Sequence, residues 1–482
     1  MSNELILCVW DQLAAADVIY SFLHLNTRIN SLLLEFCELY KQLDLRYCSL
    51  SACRFFCHQV PTMIEWRLGL TVLKLGNRYR CSQMDMFADE VTKSIVASHF
   101  ARKGKSFTNV PKNFFRILLL HSKQIKPIFP QLITLVVFQS VSINEDSRDV
   151  LLFAVAGGSS MRTFTWNACS NQTYHSRDLF DWLFHCSTNL VSYKLQTPLR
   201  ENGFELKYEH TIVNAYGPHH SLIYLKISVL NLNTLYVLLH YLPQLKHLDV
   251  YISSIIDSIN TTDQNLATKL NYSKKLRVFN LRNLRIGGSD CSCLEQLMDK
   301  FTNTVEEFSL CLTHFCNELI SWFRLLPKVK CLYVNSTELK YWFANDRDNQ
   351  YLDTFLRHLD RVYVDCSSII NINISEEIML PLLSFVIDKD RFPQLQYLRF
   401  IKCKHISSAW CNIHKWIDFI FTHINEHQLK CLRFDFTEKE YEVTDMKTNN
   451  ETIIMTEPPC VVDIYRFVSE NHISFWIERK YK

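Results

Sequence analysis

Two histidines four residues apart, with a glutamate beside the second, make His423-Ile424-Asn425-Glu426-His427 the one string in this chain that resembles a catalytic pattern. In zinc hydrolases of the HxxEH kind both imidazoles bind the metal from one helix face and the carboxylate acts as base. That arrangement needs a continuous helix and a further ligand downstream. Here a single residue, Gln428, separates the string from a strand beginning at Leu429, so the histidines read as polar residues closing a helix. Cysteine chemistry fails on spacing too. The 18 cysteines include no CxxC pair from which a zinc ribbon or a thioredoxin-like site could be assembled, and they read as reduced, buried, small hydrophobes. Ala156-Gly157-Gly158-Ser159 lacks the lysine and the spacing of a phosphate loop, and there is no GxSxG. The expectation is a protein that is not an enzyme and carries no metal or cofactor.

With catalysis set aside, the question becomes what the elements around these residues build. At 482 residues the chain is past the size at which one globular core stops growing, which leaves several domains or a repeat array. Hydrophobic residues make up 48% and charged residues 21%, with few glycines and prolines, a composition that can bury a large core. The 52 basic residues nearly cancel the 49 acidic ones, so the electrostatic footprint of a nucleic-acid binder is missing. Glu4 and Asp11 interrupt the region a secretory signal would occupy, and no apolar run reaches the roughly 18 residues of a membrane span. The expectation is a soluble intracellular protein, cytoplasmic or nuclear, that binds neither nucleic acid nor membrane.

One apolar triplet recurs along the chain, at positions a, a+3 and a+5, the pattern LxxLxL. It begins at Leu132, Met161, Leu190, Leu222, Leu245, Leu276, Val305, Val329, Leu359, Leu395 and Leu429, so successive copies lie 23 to 36 residues apart. Tyr40/Leu43/Leu45 and Leu70/Leu73/Leu75 are weaker copies. Leu242-Pro243, Leu326-Pro327, Phe392-Pro393 and Phe129-Pro130 each stand just before a triplet, where proline ends a preceding helix and biases its neighbour towards extended backbone. One short strand and one helix per roughly 20 to 29 residues is the leucine-rich repeat. The fold class expected is α/β: a horseshoe solenoid with a parallel curved sheet, outer helices and a small helical cap in front. The boundaries read as 1–39 for the cap, 40–437 for the repeats with an insertion at about 77–128, and 438–482 for a C-terminal cap. In that last segment Asn449-Asn450 suggests a hairpin, and His472 to Ile477 a final strand.

Residues 3–39 hold no triplet and read as three short helices, with Leu5, Val9 and Leu13 at i, i+4, i+8, Ile6 and Trp10 beside them, and Asp17 and Asn26 as N-cap candidates. This segment, from Met1-Ser2-Asn3-Glu4-Leu5-Ile6 through Val9-Trp10, Leu13, Asp17-Val18, Leu25-Asn26 and Arg28-Ile29 to Leu32-Leu33, resembles the F-box motif, with Ser2 where the family has proline. Together with the repeats, the chain resembles F-box proteins of the leucine-rich-repeat type. The resemblance implies a substrate-recognition adaptor of an SCF (cullin-RING) ubiquitin ligase. Leu5, Ile6, Val9, Trp10 and Leu13 would then dock on the SCF adaptor subunit and, through it, on cullin. Leu25, Ile29, Leu32 and Leu33 would join the helices and complete that surface. Leu395-x-x-Leu398-x-Phe400-x-x-Cys403-x-x-Ile406 is similar to the cysteine-containing repeat of such proteins, and Leu43-x-Leu45-x-x-Cys48 echoes it. A leucine-rich-repeat scaffold or inhibitor with no part in ubiquitination is the alternative.

Side-chain alternation along each strand turns a+3 and a+5 inward and a+2, a+4 and a+6 to the concave face. In the later repeats those outward positions hold Tyr251, Arg282, Tyr333, Arg361, Tyr363, Tyr397, Arg399 and Arg433, while earlier ones are plainer, as at Thr163, Thr165 and Ser192. Tyr and Arg are the types most enriched at binding hot spots, so these eight are the candidate substrate-binding residues for a protein whose identity the chain does not disclose. Asp249, Glu307, Asp365 and Asp435 lie among them, and that mixture of charge speaks against a simple acidic or phosphorylated ligand.

Overall fold

The structure, a computed structural model, describes residues 2–13, 15–35, 41–46, 48–65, 69–76, 83–101, 128–138, 147, 150–155, 160–167, 183–184, 187–196, 217–252, 273–284, 292–312, 325–335, 354–365, 390–403, 430–436, 452–457, 460–469 and 472–481. They fall into two compact units, Met1–Leu245 with Asn271–Ser273, and Lys246–Leu270 with Lys274–Lys482.

The first unit opens with three helices, α1 (Asn3–Trp10), α2 (Ala15–Phe22) and α3 (Thr27–Glu35). Ser2 caps α1, its hydroxyl accepting from the Leu5 N–H at 3.4 Å, so serine satisfies an end that proline would merely have stiffened. Asn26 caps α3 by accepting from the Ile29 N–H at 2.9 Å. Asp17 is not the cap expected of it. It lies inside the first turn of α2, where a carboxylate complements the helix dipole. The helix α4 (Leu50–Glu65) packs on α2, with the Tyr20 and Phe55 rings meeting edge on at 5.6 Å.

Next comes a ladder of parallel strands in chain order: β1 (Gln42–Asp44), β2 (Val72–Gly76), β3 (Thr134–Phe138), β4 (Thr163–Asn167), β5 (Ser192–Gln196) and β6 (Tyr224–Val229). The weak copies at Tyr40 and Leu70 are therefore full members, although Tyr40 itself lies outside the described residues. Register aligns Leu73, Leu135, Phe164, Tyr193 and Leu225 in one row, and Leu75, Val137, Trp166, Leu195 and Ile227 in the next, all buried. Phe164 and Tyr193 stack at 5.5 Å, which places the a+3 aromatics in direct contact across repeats. The insertion span contains a helix, α5 (Gln83–Ala101), and α6 (Leu232–His240) follows β6, capped by Asn231.

The second unit continues the same arrangement with β7 (His247–Ile252), β8 (Val278–Leu284), β9 (Glu307–Leu312), β10 (Cys331–Asn335), β11 (Arg361–Asp365), β12 (Tyr397–Cys403) and β13 (Cys431–Phe436), all parallel. A helix, α7 (Ser292–Phe301), lies between β8 and β9. Leu248, Phe279, Phe308, Leu332, Val362 and Leu398 form its buried a+3 row. Beyond β13 the direction reverses: β14 (Thr452–Glu457), β15 (Cys460–Ser469) and β16 (His472–Tyr481) are antiparallel, and β16 pairs with β13. The last strand was anticipated at His472–Ile477, and it covers an edge that would otherwise offer unpaired backbone groups. The hairpin expected at Asn449-Asn450 lies outside the described residues. Ile453 and Met455, just beyond it, pair with Ile464 and Val462 of β15.

Two backbone devices repeat and explain why the triplets stay in register. Before six of the described strands the N–H of position a donates to the carbonyl of a−3, as from Leu132 to Phe129, Leu245 to Leu242, Val329 to Leu326 and Leu395 to Phe392. The X-Pro dipeptides are thus the entry to a tight turn, with proline at its second position where its fixed φ fits. The carbonyl of a+1 then accepts twice from the next copy. Ile133 receives the N–H groups of Arg162 and Thr163, and Asp360 those of Gln396 and Tyr397.

One copy replaces the turn carbonyl with a side chain. His219 is buried, its Nε2 lies 3.0 Å from the Ser187 carbonyl, and its Nδ1 accepts from the Leu222 N–H at 3.2 Å. A carbonyl only accepts, so Nε2 carries the proton and the ring is neutral. Burial pushes its pKa below the ordinary imidazole value, which means the unfolded chain takes up the proton first. This contribution is complete above about pH 6.5 and is lost as pH falls below it. The stability gap between wild type and His219→Gln is therefore expected to shrink from pH 7 to pH 5 in urea titrations. A constant gap would exclude the neutral-ring assignment.

Candidate functional site

On α1, helix geometry separates the apolar residues into two stripes about 100° apart. Leu5 and Val9 on α1, and Leu13 just past its end, stand out into solvent at 59%, 49% and 47% exposure, and Leu25, after α2, reaches 62%. Ile6 and Trp10 turn inward, Trp10 meeting the Phe22 ring at 5.4 Å. The docking face suggested by sequence is corrected on this point: Ile6 and Trp10 are core, buried like Ile29, Leu32 and Leu33, which were expected to join the helices, whereas Leu25, expected with those three, is exposed. Arg28 fixes the start of α1 through hydrogen bonds from Nε and Nη2 to Asn3 Oδ1 at 2.9 and 2.5 Å. Leu5 and Val9 on a short helix braced in this way, with Leu13 three residues beyond its end, are the exposed apolar residues of a candidate docking surface.

The sheet face of the second unit holds the Tyr and Arg residues, and register sorts them into rows. Glu307, Cys331, Arg361, Tyr397 and Cys431 succeed one another across β9 to β13. Ser309, Tyr333, Tyr363, Arg399 and Arg433 form the adjoining row. Within the first, Arg361 reaches across Cys331, its Nη2 meeting Glu307 Oε1 at 3.2 Å while Nε meets Asp360 Oδ1 at 3.2 Å. Both pairs are about one-third exposed, so they fix the side chain more than they stabilise the fold. Cys331 beneath is buried, and its thiol is pushed up to about 12, so it stays protonated and inert. In the second row the Tyr333 and Tyr363 rings lie 6.4 Å apart. Burial raises the Tyr363 pKa, which keeps its hydroxyl as a donor.

Of the eight sheet residues read from sequence, Tyr333, Arg361, Tyr363, Tyr397, Arg399 and Arg433 share one surface and are all at least partly accessible. Tyr251 departs from that expectation. It is only 8% exposed, in register with Arg282 in a third row on β7 and β8. Asp249 is likewise buried, so it contributes no accessible charge. Sequence reading passed over Lys194 in the first unit, whose Nζ lies 5.0 Å over the Tyr224 ring; its a+4 position was the available signal. Cys48, suggested by the cysteine-repeat likeness, is buried with its Sγ donating to the Leu45 carbonyl at 3.3 Å. Its counterpart Cys403 ends β12, and Ile406 lies outside the described residues, as do His423 and His427. Among the described residues no group of His, Cys, Asp or Glu could hold a metal ion, and no helix is long and apolar enough to cross a membrane.

No family model matches the sequence, and no curated protein does. Among solved structures the chain is similar to the leucine-rich repeat-containing protein LegL7 from Legionella pneumophila, at 12% identity and a TM-score of 0.33, over 77% of this chain and 94% of that one. The α/β repeat architecture itself stands on the strand registers: buried a+3 and a+5 rows, parallel neighbours in chain order, and a recurring turn before six of the described strands.

Proposed function

We propose that this chain is a protein-recognition adaptor of an SCF-type ubiquitin ligase, docking on the ligase's adaptor subunit through α1 and holding its substrate protein on the tyrosine and arginine rows. The observation that carries the reading is the exposed Leu5, Val9 and Leu13 stripe, in a segment that resembles the F-box and precedes a repeat array. The role is one of tethering, which raises the effective concentration of a substrate near a catalytic assembly without any chemistry by this chain. Packing of α2 on α4 and β1 favours a second reading, in which the helices simply close the first end of the ladder and the repeats serve as a scaffold.

Capture on immobilised SCF adaptor subunit separates the two. Wild type should be retained, and Val9→Asp with Leu13→Asp should bind at least about thirtyfold more weakly, since each change buries an unpaired charge at the centre of a contact. Both positions are solvent-facing, so the thermal unfolding of the variant should match wild type. Failure of wild type to bind, or equal capture of the variant, would leave the scaffold reading.

A further inference from the structure

The antiparallel strands that cover the end of the ladder carry an edge of their own. Residues 431–435 of β13 pair with 472–476 of β16. The remainder of β16, residues 477–481, lies beyond that pairing, and among the described residues it is paired with β15 alone. β14 pairs with residues 460–465 of β15, which is the stretch of β15 opposite 476–481 of β16. One half of this small sheet thus joins the ladder, and the other half, three strands wide, runs past it.

The projecting half has two outer edges. Along an outer edge alternate residues turn N–H and C=O groups outward with no strand to receive them. Proteins discourage stray pairing there with charged residues, proline, brevity or a covering element. On the β16 edge the sequence sets Glu478-Arg479-Lys480 in succession. At the first strand of the first unit, β1 is three residues long and α2 packs against it. β14 shows none of these devices among the described residues. It stands last in the strand order, and its neighbour is β15. Its six residues, Thr452-Ile453-Ile454-Met455-Thr456-Glu457, are uncharged up to the final one and include no proline.

From this contrast we propose that β14 pairs with β14 of a second copy of this chain, antiparallel about a two-fold axis, joining the two projecting halves, three strands from each, into one sheet. The residue types favour that occupant. With the axis between Ile454 and Met455, the opposed positions are Thr452 with Glu457, Ile453 with Thr456, and Ile454 with Met455. Apolar residues then meet at the centre and no charge meets its like. Parallel pairing in register would set Glu457 beside Glu457. Pairing of β14 with the 477–481 edge of another copy would set the apolar run against Glu478-Arg479-Lys480, in a head-to-tail contact that need not close. Self-pairing is isologous and stops at two copies. Six residues a side are far fewer than the roughly 20 to 30 of a stable interface, so the dimer is weak, half formed on the order of 10 µM. The proposal goes beyond the ligase reading and depends on neither α1 nor the tyrosine and arginine rows.

Sedimentation velocity of the full-length protein between about 1 and 100 µM is the test. Wild type should pass from monomer to dimer and no further. Ile454→Lys with Met455→Lys sets lysine opposite lysine at the centre and should weaken association at least about tenfold, as should Ile454→Glu with Met455→Glu. An equal mixture of the two variants should recover the dimer, because each lysine then meets a glutamate, a gain that a misfolded hairpin would not show. In dilute wild type, alternate β14 amides should exchange freely with solvent and slow only as the dimer forms. Wild type that stays monomeric throughout would overturn the proposal and leave the edge to a strand of another protein. Assemblies larger than two, variants that associate as wild type does, or a mixture that stays monomeric would overturn it as well. So would protection of every β14 amide in the monomer, since the chain's own residues would then occupy the edge. None of these outcomes bears on capture by the SCF adaptor subunit, so failure here and failure of the ligase reading are told apart.

Discussion

Replacing Gly76 by alanine should cost the first unit about 3 kcal/mol or more, the largest effect expected from one added methyl group at the described glycines. Gly76 ends β2 with φ +106°, a backbone conformation that side chains disfavour. A Cβ there would stand 1.9 Å from the Phe138 carbonyl oxygen and 2.6 Å from its carbon, both backbone atoms of β3 that the ladder holds in place. Strand β2 cannot retreat either. The Gly76 N–H donates to Gln83 Oε1 at 2.7 Å, and Gln83, fully buried, donates from Nε2 to the Leu45 carbonyl at 2.6 Å. One side chain thus joins the ends of two neighbouring strands, and the Ala variant must break that link or the pairing with Phe138. Gly217→Ala is the control, because a Cβ at Gly217 meets nothing within 4 Å. Urea unfolding should show a clear drop for Gly76→Ala and little change for Gly217→Ala, with hydrogen exchange in β2 and β3 accelerated only in the first. Equal midpoints would mean that β2 ends differently in solution.

The second large effect is expected in the other unit. Phe279 is completely buried in the a+3 row, its ring 6.0 Å from Phe301 of α7 and 6.0 Å from Phe308 of the next strand. It therefore joins a strand to its outer helix and one repeat to the next. Truncation to alanine should cost about 3 to 5 kcal/mol through lost transfer energy and the cavity left behind. In a repeat array each copy is stabilised mainly by its neighbours, so the loss should appear as faster exchange across β8 and β9 ahead of any change at β16. Asn280→Ala, one residue on and facing the other side of the sheet, should shift stability by less than about 1 kcal/mol. If the two variants unfold alike, the a+3 row is not the shared core.

The docking stripe shows where sequence reasoning reaches its end. Periodicity placed Leu5, Val9 and Leu13 on one face and Ile6 with Trp10 on its neighbour, but both stripes are apolar, and nothing in their spacing says which one meets water. Packing of Trp10 on Phe22 decided it. Asp17 was misread for a related reason: N-cap preference names a residue type, and the helix began two positions earlier than the nearest suitable side chain.

What the sequence determined by itself was the strand. A triplet at a, a+3 and a+5 sets which side chains alternate inward, the proline two before several of the triplets sets the entry turn, and both are local properties of a few consecutive residues. Tertiary structure decided which strands are neighbours. Tyr333, Tyr363, Arg399 and Arg433 each stand at a+4 of a triplet, but it is backbone hydrogen bonding between four strands separated by unequal lengths of chain that sets them side by side. The same registers buried Asp249 and set Arg361 across Cys331 onto Glu307, so charges that read as one mixed surface in sequence are partly committed within the fold.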